Sequence, residues 1–170
     1  MKKLSSLIIA LFILSAGTVF AQTSADIAVT ANVNATLTLT GSDIQFGTIQ
    51  ADLASYIQAN TNDGTAESNL GTDAQAGSLL IEGTDGSDVT VSWTDGTLTD
   101  GDGNNATNFT PTVYLDNTEV NNGASDVSIQ TAGTTLDIGG SLGVISNTGS
   151  YSTGNPSGSP VTFTVQYTSI

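Results

Sequence analysis

An all-β sandwich is the fold this sequence predicts, and three observations carry the prediction. Apolar residues alternate with polar ones in short runs that fit the two-residue period of a strand. Asp-Gly and Asn-Gly pairs punctuate those runs, supplying the positive φ angles of tight turns. No window sustains the apolar spacing of a helix packed against a core.

The chain opens with a leader rather than with structure. Lys2 and Lys3 give a positive start, Leu7 to Leu14 is an apolar run too short to span a bilayer, and Val19-Phe20-Ala21 fits signal-peptidase cleavage. Residues 1–21 are therefore expected to be a signal peptide, and residues 22–170 a single β-sandwich domain in a secreted protein. After cleavage no membrane attachment is expected.

The first element is the most regular. Ile27, Val29, Ala31, Val33, Ala35, Leu37 and Leu39 share one face, while Thr30, Asn32, Asn34, Thr36, Thr38 and Thr40 share the other. Thirteen such residues would extend roughly 43 Å, longer than a usual strand. The row therefore either bends into two strands or projects from the domain. Residues 22–40 are read in two ways at this point, as a first strand of their own sheet or as a segment donated to a neighbour.

The remaining elements follow in order. Ile44, Phe46 and Ile49 around Gly47 suggest a short strand with a bulge, Leu53 to Gln58 is ambiguous, and polar residues 60–76 read as a loop. Leu79 to Ile81 gives a strand, and Val89, Val91 and Trp93 alternate strictly. Trp93 thereby favours core packing over a sugar-stacking platform. Phe109, Val113 and Leu115 share a face, and Pro111 among them points to an edge or a strand start. Val127 with Ile129, Leu136 with Ile138, and Leu142 with Val144 form three short pairs. Val161, Phe163, Val165 and Tyr167 make the last strand. Turns are expected at the Asp-Gly pairs of Asp63, Asp85, Asp95, Asp100 and Asp102 and at Asn122-Gly123. Eight or more short strands of this kind make a sandwich or barrel.

Charge narrows the function. Both basic residues, Lys2 and Lys3, lie in the leader and all 16 acidic residues lie beyond it, so the chain's net charge of −14 becomes −16 over residues 22–170. Those residues hold no Lys, Arg, His or Cys, which removes side-chain salt bridges, lysine-based isopeptide links and disulfides. Without cationic side chains there is nothing to neutralise phosphates, so no nucleic-acid partner is expected. Without His or Lys, the usual nucleophile–base pairs cannot be assembled either. The carboxylates sit mainly in Asp-Gly turns, where turn formation and a solvated surface account for them. No enzyme activity, no catalytic residue and no obligatory cofactor are expected.

One local pattern invites a metal. Asp100, Asp102 and Asn104 place oxygen side chains at alternate positions, as the start of a calcium loop does. The match then fails, with Asn105 where a glycine belongs and Pro111 where a bidentate Glu belongs. A polar hairpin loop is the favoured reading, with loosely bound calcium as the alternative.

The ordered set of motifs carries a resemblance. A long alternating first strand leads to Ile44-Gln45-Phe46-Gly47-Thr48-Ile49. Leu136-Asp137-Ile138-Gly139-Gly140-Ser141-Leu142 comes later, then Gly149-Ser150-Tyr151 ahead of Val161-Thr162-Phe163-Thr164-Val165-Gln166-Tyr167. In this the chain resembles the secreted bacterial family of domain of unknown function 4402, itself similar to β-sandwich proteins of pilin and spore-coat type. The resemblance implies an immunoglobulin-like sandwich in a fimbria-like surface subunit. It also implies assembly by strand donation, passage through the periplasm with a periplasmic chaperone as a partner, and a final location at the cell surface or outside it. Self-association or other surface subunits would be its lasting partners. On that reading Ile27, Val29, Ala31, Val33, Leu37 and Leu39 enter a neighbour's groove, which Phe163 and Val165 of the last strand partly line. Tyr167 is followed by three residues in this sequence, so it is not penultimate, and no disulfide is available, which departs from chaperone-assembled pilins. The alternative is a monomeric secreted module whose loops bind a surface glycan or calcium.

Overall fold

The computed structural model describes residues 36–168, which contain ten strands and no helix. In chain order these are β1 (Thr38–Ser42), β2 (Ser55–Ile57), β3 (Gly77–Glu82), β4 (Asp88–Trp93) and β5 (Gly96–Thr99). They continue with β6 (Ala106–Leu115), β7 (Thr118–Val120), β8 (Ala124–Ser128), β9 (Thr134–Leu142) and β10 (Phe163–Tyr167). Seven form one sheet in the order β1-β3-β9-β6-β5, with β2 added to β9 and β7 to β6. The other three form a second sheet, β10-β4-β8. All pairings are antiparallel. The all-β sandwich expected from the alternation is what forms.

The alternating residues meet between the sheets. Leu79, Ile81, Val113, Leu136 and Ile138 from the larger sheet pack with Val89, Val91 and Val127 from the smaller, and Ile129 just beyond β8 joins them. Burying each such side chain contributes about 1.5–3 kcal/mol, and no disulfide or salt bridge is needed to hold the layers. A second, smaller core joins Phe109, Leu142 and Ile145. Trp93 is half-buried, packs on the main core and tilts against Phe163 with ring centroids 5.7 Å apart. The core reading of Trp93 follows from its alternation with Val89 and Val91.

β9 is the organising strand. One of its edges pairs with β3 up to Ile138 and then with β2 from Gly140 onward. Its other edge pairs with β6. The handover brings residues 57–59 directly against Gly139, where a Cβ would stand 2.3 Å from the Ala59 nitrogen. At Gly140, with φ of +140°, a Cβ would stand 2.2 Å from the Thr110 carbonyl oxygen. Only glycine permits both approaches. The sequence suggested two short pairs, Leu136–Ile138 and Leu142–Val144. The glycines instead carry one strand through to Leu142 and leave Val144 exposed.

Pro111 lies inside β6 rather than at its start. β5 pairs with Ala106 to Phe109 and β7 with Val113 to Leu115, so the proline falls in the gap between them. On that side the strand is locally an edge, which is where a missing N–H is tolerated. The expected strand around Ile44, Phe46 and Ile49 does not form. Only a bridge joins Gln45 to Gln75, and Gly47 turns the chain at φ +67°.

Turn chemistry is partly as expected. Gly86, Gly103 and Gly123 take positive φ after Asp85, Asp102 and Asn122, whereas Gly96 opens β5 instead. The β6–β7 hairpin turns on Asp116-Asn117, with Asp116 itself at φ +54°. Asp63 departs most from the solvated-turn reading, being only 5% exposed. Its carboxylate accepts hydrogen bonds from the Tyr56 hydroxyl at 2.7 Å, the Ala59 amide at 3.1 Å and the Thr65 amide at 3.0 Å. The burial is tolerable because the group is ringed by donors.

Candidate docking seam

Two residues of the long alternating row, Leu37 and Leu39, fall within the described residues. Ile27, Val29, Ala31 and Val33 lie outside the described residues. Leu37 packs on the chain's own main core, and Leu39 sits in β1, paired opposite Ile81 of β3. Leu37 and Leu39 therefore belong to this domain's own structure.

The register fixes which face each residue takes. Leu39 and Gly41 oppose Ile81 and Leu79, both buried, so they lie on the inner face of the large sheet. On β10, Val165 and Tyr167 oppose the fully buried Val91 and Val89, and Phe163 opposes Trp93. These inner rows should be as dry as the core. Instead Leu39 is 41% exposed, and Phe163, Val165 and Tyr167 are half-buried. The inner rows of the two edge strands, β1 and β10, are therefore only partly covered.

The partly covered stretch has two ends. At one end Leu37, Gly83, Ile129 and Tyr167 meet, and the Thr84 amide donates to the Tyr167 hydroxyl at 2.9 Å. At the other end the layers open into a cleft of about 520 Å³ lined by residues 41–46, Phe109, Tyr151, Val161 and Phe163. A second cleft of about 620 Å³ continues past Phe46 to Ile145 and Asn147, and shares Ile44, Phe46, Leu98 and Tyr151 with the first. Phe46 stands edge-on to Phe109 at 5.8 Å and forms part of the floor. Among the described residues, β1 pairs with β3 alone and β10 with β4 alone.

Electrostatics single out this side of the sandwich. No acidic residue occurs in residues 36–42 or 138–168, so β1 and β10, which border the seam, are uncharged apart from Asp43 at its mouth. The other sheet edges are guarded. β8 carries the exposed Asp126 and β7 the exposed Glu119. β5 is covered by the returning chain, with Thr97 bridged to Ser159 and Thr99 to Ser152. Charged or covered edges resist the addition of a further strand. Among the described residues, β1 and β10 have neither defence.

Phe163, expected to line a groove, lines this cleft, and Val165 continues its row into the core. Ile44, Phe46, Leu98, Tyr151 and Val161 were not singled out as groove residues by the sequence reading. The charge-free run from Ile138 onward was the signal that could have found the last two of them.

The calcium candidates are placed differently. Asp100, Asp102 and Asn104 sit in the β5–β6 hairpin, at the far side of the return loop. The Asp100 carboxylate accepts hydrogen bonds from the Asn105 side-chain amide and, at 2.9 Å, from the Asn104 backbone amide. The Asn105 bond foremost holds the Asp100 carboxyl below its usual value. Asp100 is thus engaged by its own loop, and Asp102 is exposed. Among the described residues, no three His, Cys, Asp or Glu side chains gather as a metal site would need.

No family model, no curated protein and no solved structure matches this chain.

Proposed function

We propose that this protein is an exported structural subunit of the bacterial cell surface, fimbria-like, in which the N-terminal segment of one subunit adds to the seam of the next. The observation that carries the reading is the seam itself, whose inner apolar rows are left half-exposed between two uncharged edges. The alternation of Ile27, Val29, Ala31 and Val33 supplies a strand of matching period, with one apolar face for the gap and Thr and Asn outward. Strand addition uses main-chain hydrogen bonds for affinity and alternate side chains for fit. Export through the periplasm, and a chaperone that covers the seam on the way, belong to this reading. So does the absence of catalytic chemistry, since residues 22–170 contain no His, Lys or Cys.

The test compares residues 22–170 with residues 36–170, the latter with and without a peptide of residues 22–35. The cut at residue 36 keeps Leu37 and all of β1 in the domain. The longer form should give concentration-dependent oligomers in sedimentation. The shorter form should remain monomeric, and the peptide should raise its melting temperature. A longer form that stays monomeric at every concentration, with no effect of the peptide, would overturn the proposal and favour a loop-based binding module.

A further inference from the structure

The partner at the seam and the conditions it requires follow from the charge distribution, and this inference rests on the strand-addition reading above. We infer that the seam receives a second copy of this same chain and that the association tightens as ionic strength rises. Ordinary interfaces show the opposite trend where they depend on complementary charge, because salt screens attraction as well as repulsion. Here the signs do not mix. Residues 22–170 contain 16 carboxylates and no cationic side chain, so every side-chain charge pair between two copies is repulsive.

The seam is where two such copies approach at least cost. Its borders, residues 36–42 and 161–168, carry no charged side chain, while β7 and β8 present Glu119 and Asp126. A cationic partner would be drawn by the field to the carboxylates rather than to this uncharged side. An uncharged, alternating segment suits it, and residues 27–35 of this chain are one. Two molecules of charge −16 still repel across the distance between their centres. The repulsion reaches far at low salt, where the Debye length approaches about 30 Å, and is largely gone near 1 M, where it is about 3 Å.

The experiment measures self-association of residues 22–170 by sedimentation in NaCl from about 0.02 M to about 1 M, spanning the screening range. The dissociation constant should fall at least about tenfold between 0.15 M and 1 M. Excess peptide of residues 22–35 should abolish the oligomers at every salt concentration. A variant combining Glu67→Gln and Asp116→Asn, both exposed and outside the cleft linings, should associate at lower salt than the parent. CaCl₂ matched to NaCl in ionic strength should give the same result.

Association that weakens with salt, or ignores it, overturns this inference while leaving strand addition intact. So does a calcium effect at matched ionic strength, which would mean a bound cation rather than screening. Salt-driven oligomers that the peptide does not block would be non-specific salting-out and overturn it as well. No association at any salt overturns the strand-addition reading, and this inference with it.

Discussion

Replacing Gly140 by alanine should be among the most damaging single-methyl changes this fold can suffer. The new Cβ would stand 2.2 Å from the Thr110 carbonyl oxygen, with two ring carbons of Phe109 at 3.0 Å. Thr110 and Phe109 belong to β6, hydrogen-bonded to β9 along six consecutive residue pairs, so neither backbone can retreat without opening the centre of the large sheet. Backbone strain adds to the clash, because φ is +140° and an L side chain there costs about 1–3 kcal/mol. Relief of the overlap by shifting packed neighbours costs about 1–3 kcal/mol more. The expected loss is therefore about 2–6 kcal/mol, a large share of the roughly 5–15 kcal/mol typical of a domain. At roughly 3–4 °C per kcal/mol for a chain of this size, the melting temperature should drop by about 6–24 °C. Urea unfolding followed by Trp93 fluorescence measures it directly. Gly64→Ala is the control, since no atom lies within 4 Å of its Cβ and its φ is not positive. It should change stability by less than about 1 kcal/mol. A Gly140→Ala protein within about 1 kcal/mol of the parent would refute the close-approach account of β9.

Two further predictions separate core from seam and acid from base. Ile81 and Leu39 are direct cross-strand neighbours, one fully buried and one 41% exposed. In residues 36–170, Ile81→Ala should cost about 3 kcal/mol and Leu39→Ala less than about 1 kcal/mol by urea titration, and equal costs would mean the seam is closed. Burial pushes the Tyr56 phenol above its ordinary 10.0; a bond to Thr112 opposes this and the Asp63 carboxylate reinforces it. A raised folded-state value means stability is intact below pH 10 and falls as pH climbs from there through the folded-state value. Tyr56→Phe should flatten that alkaline decline between about pH 9 and pH 11, while an unchanged slope would show that Tyr56 is not its source.

How much of this was legible depends on whether the deciding force acts along the chain or across it. Period-two alternation reports burial on one face, so Val89, Val91 and Trp93, and likewise Phe163 to Tyr167, could be placed in strands from sequence. Gly139-Gly140 looks like punctuation locally. Only the approach of β2 and β6 makes it the interior of a strand. Asp63 reads as a turn acid because the donors that bury it, Tyr56 and Ala59, are contributed by the folded β2 region. Residues 44–49 have strand-like alternation, yet no neighbouring strand lies alongside them to complete a ladder. The seam was the least visible feature. Sequence could nominate Phe163 and Val165, but that their row stays half-buried depends on what the opposite sheet places over it. The place of Leu39 was invisible too, since its pairing with β3 is what assigns it to this domain's own sheet.

The placement of carboxylates on β7 and β8, together with the loop laid over β5, has a consequence for the geometry of association. On the strand-addition proposal the molecule is, in the language of colloids, a particle with a repulsive surface and one adhesive patch. Particles with one patch and one tether have a valence of two. They form linear strings and cannot cross-link into a gel, however concentrated they become. Removing Asp126 would add a second patch, and the first sign of it should be branching rather than tighter binding.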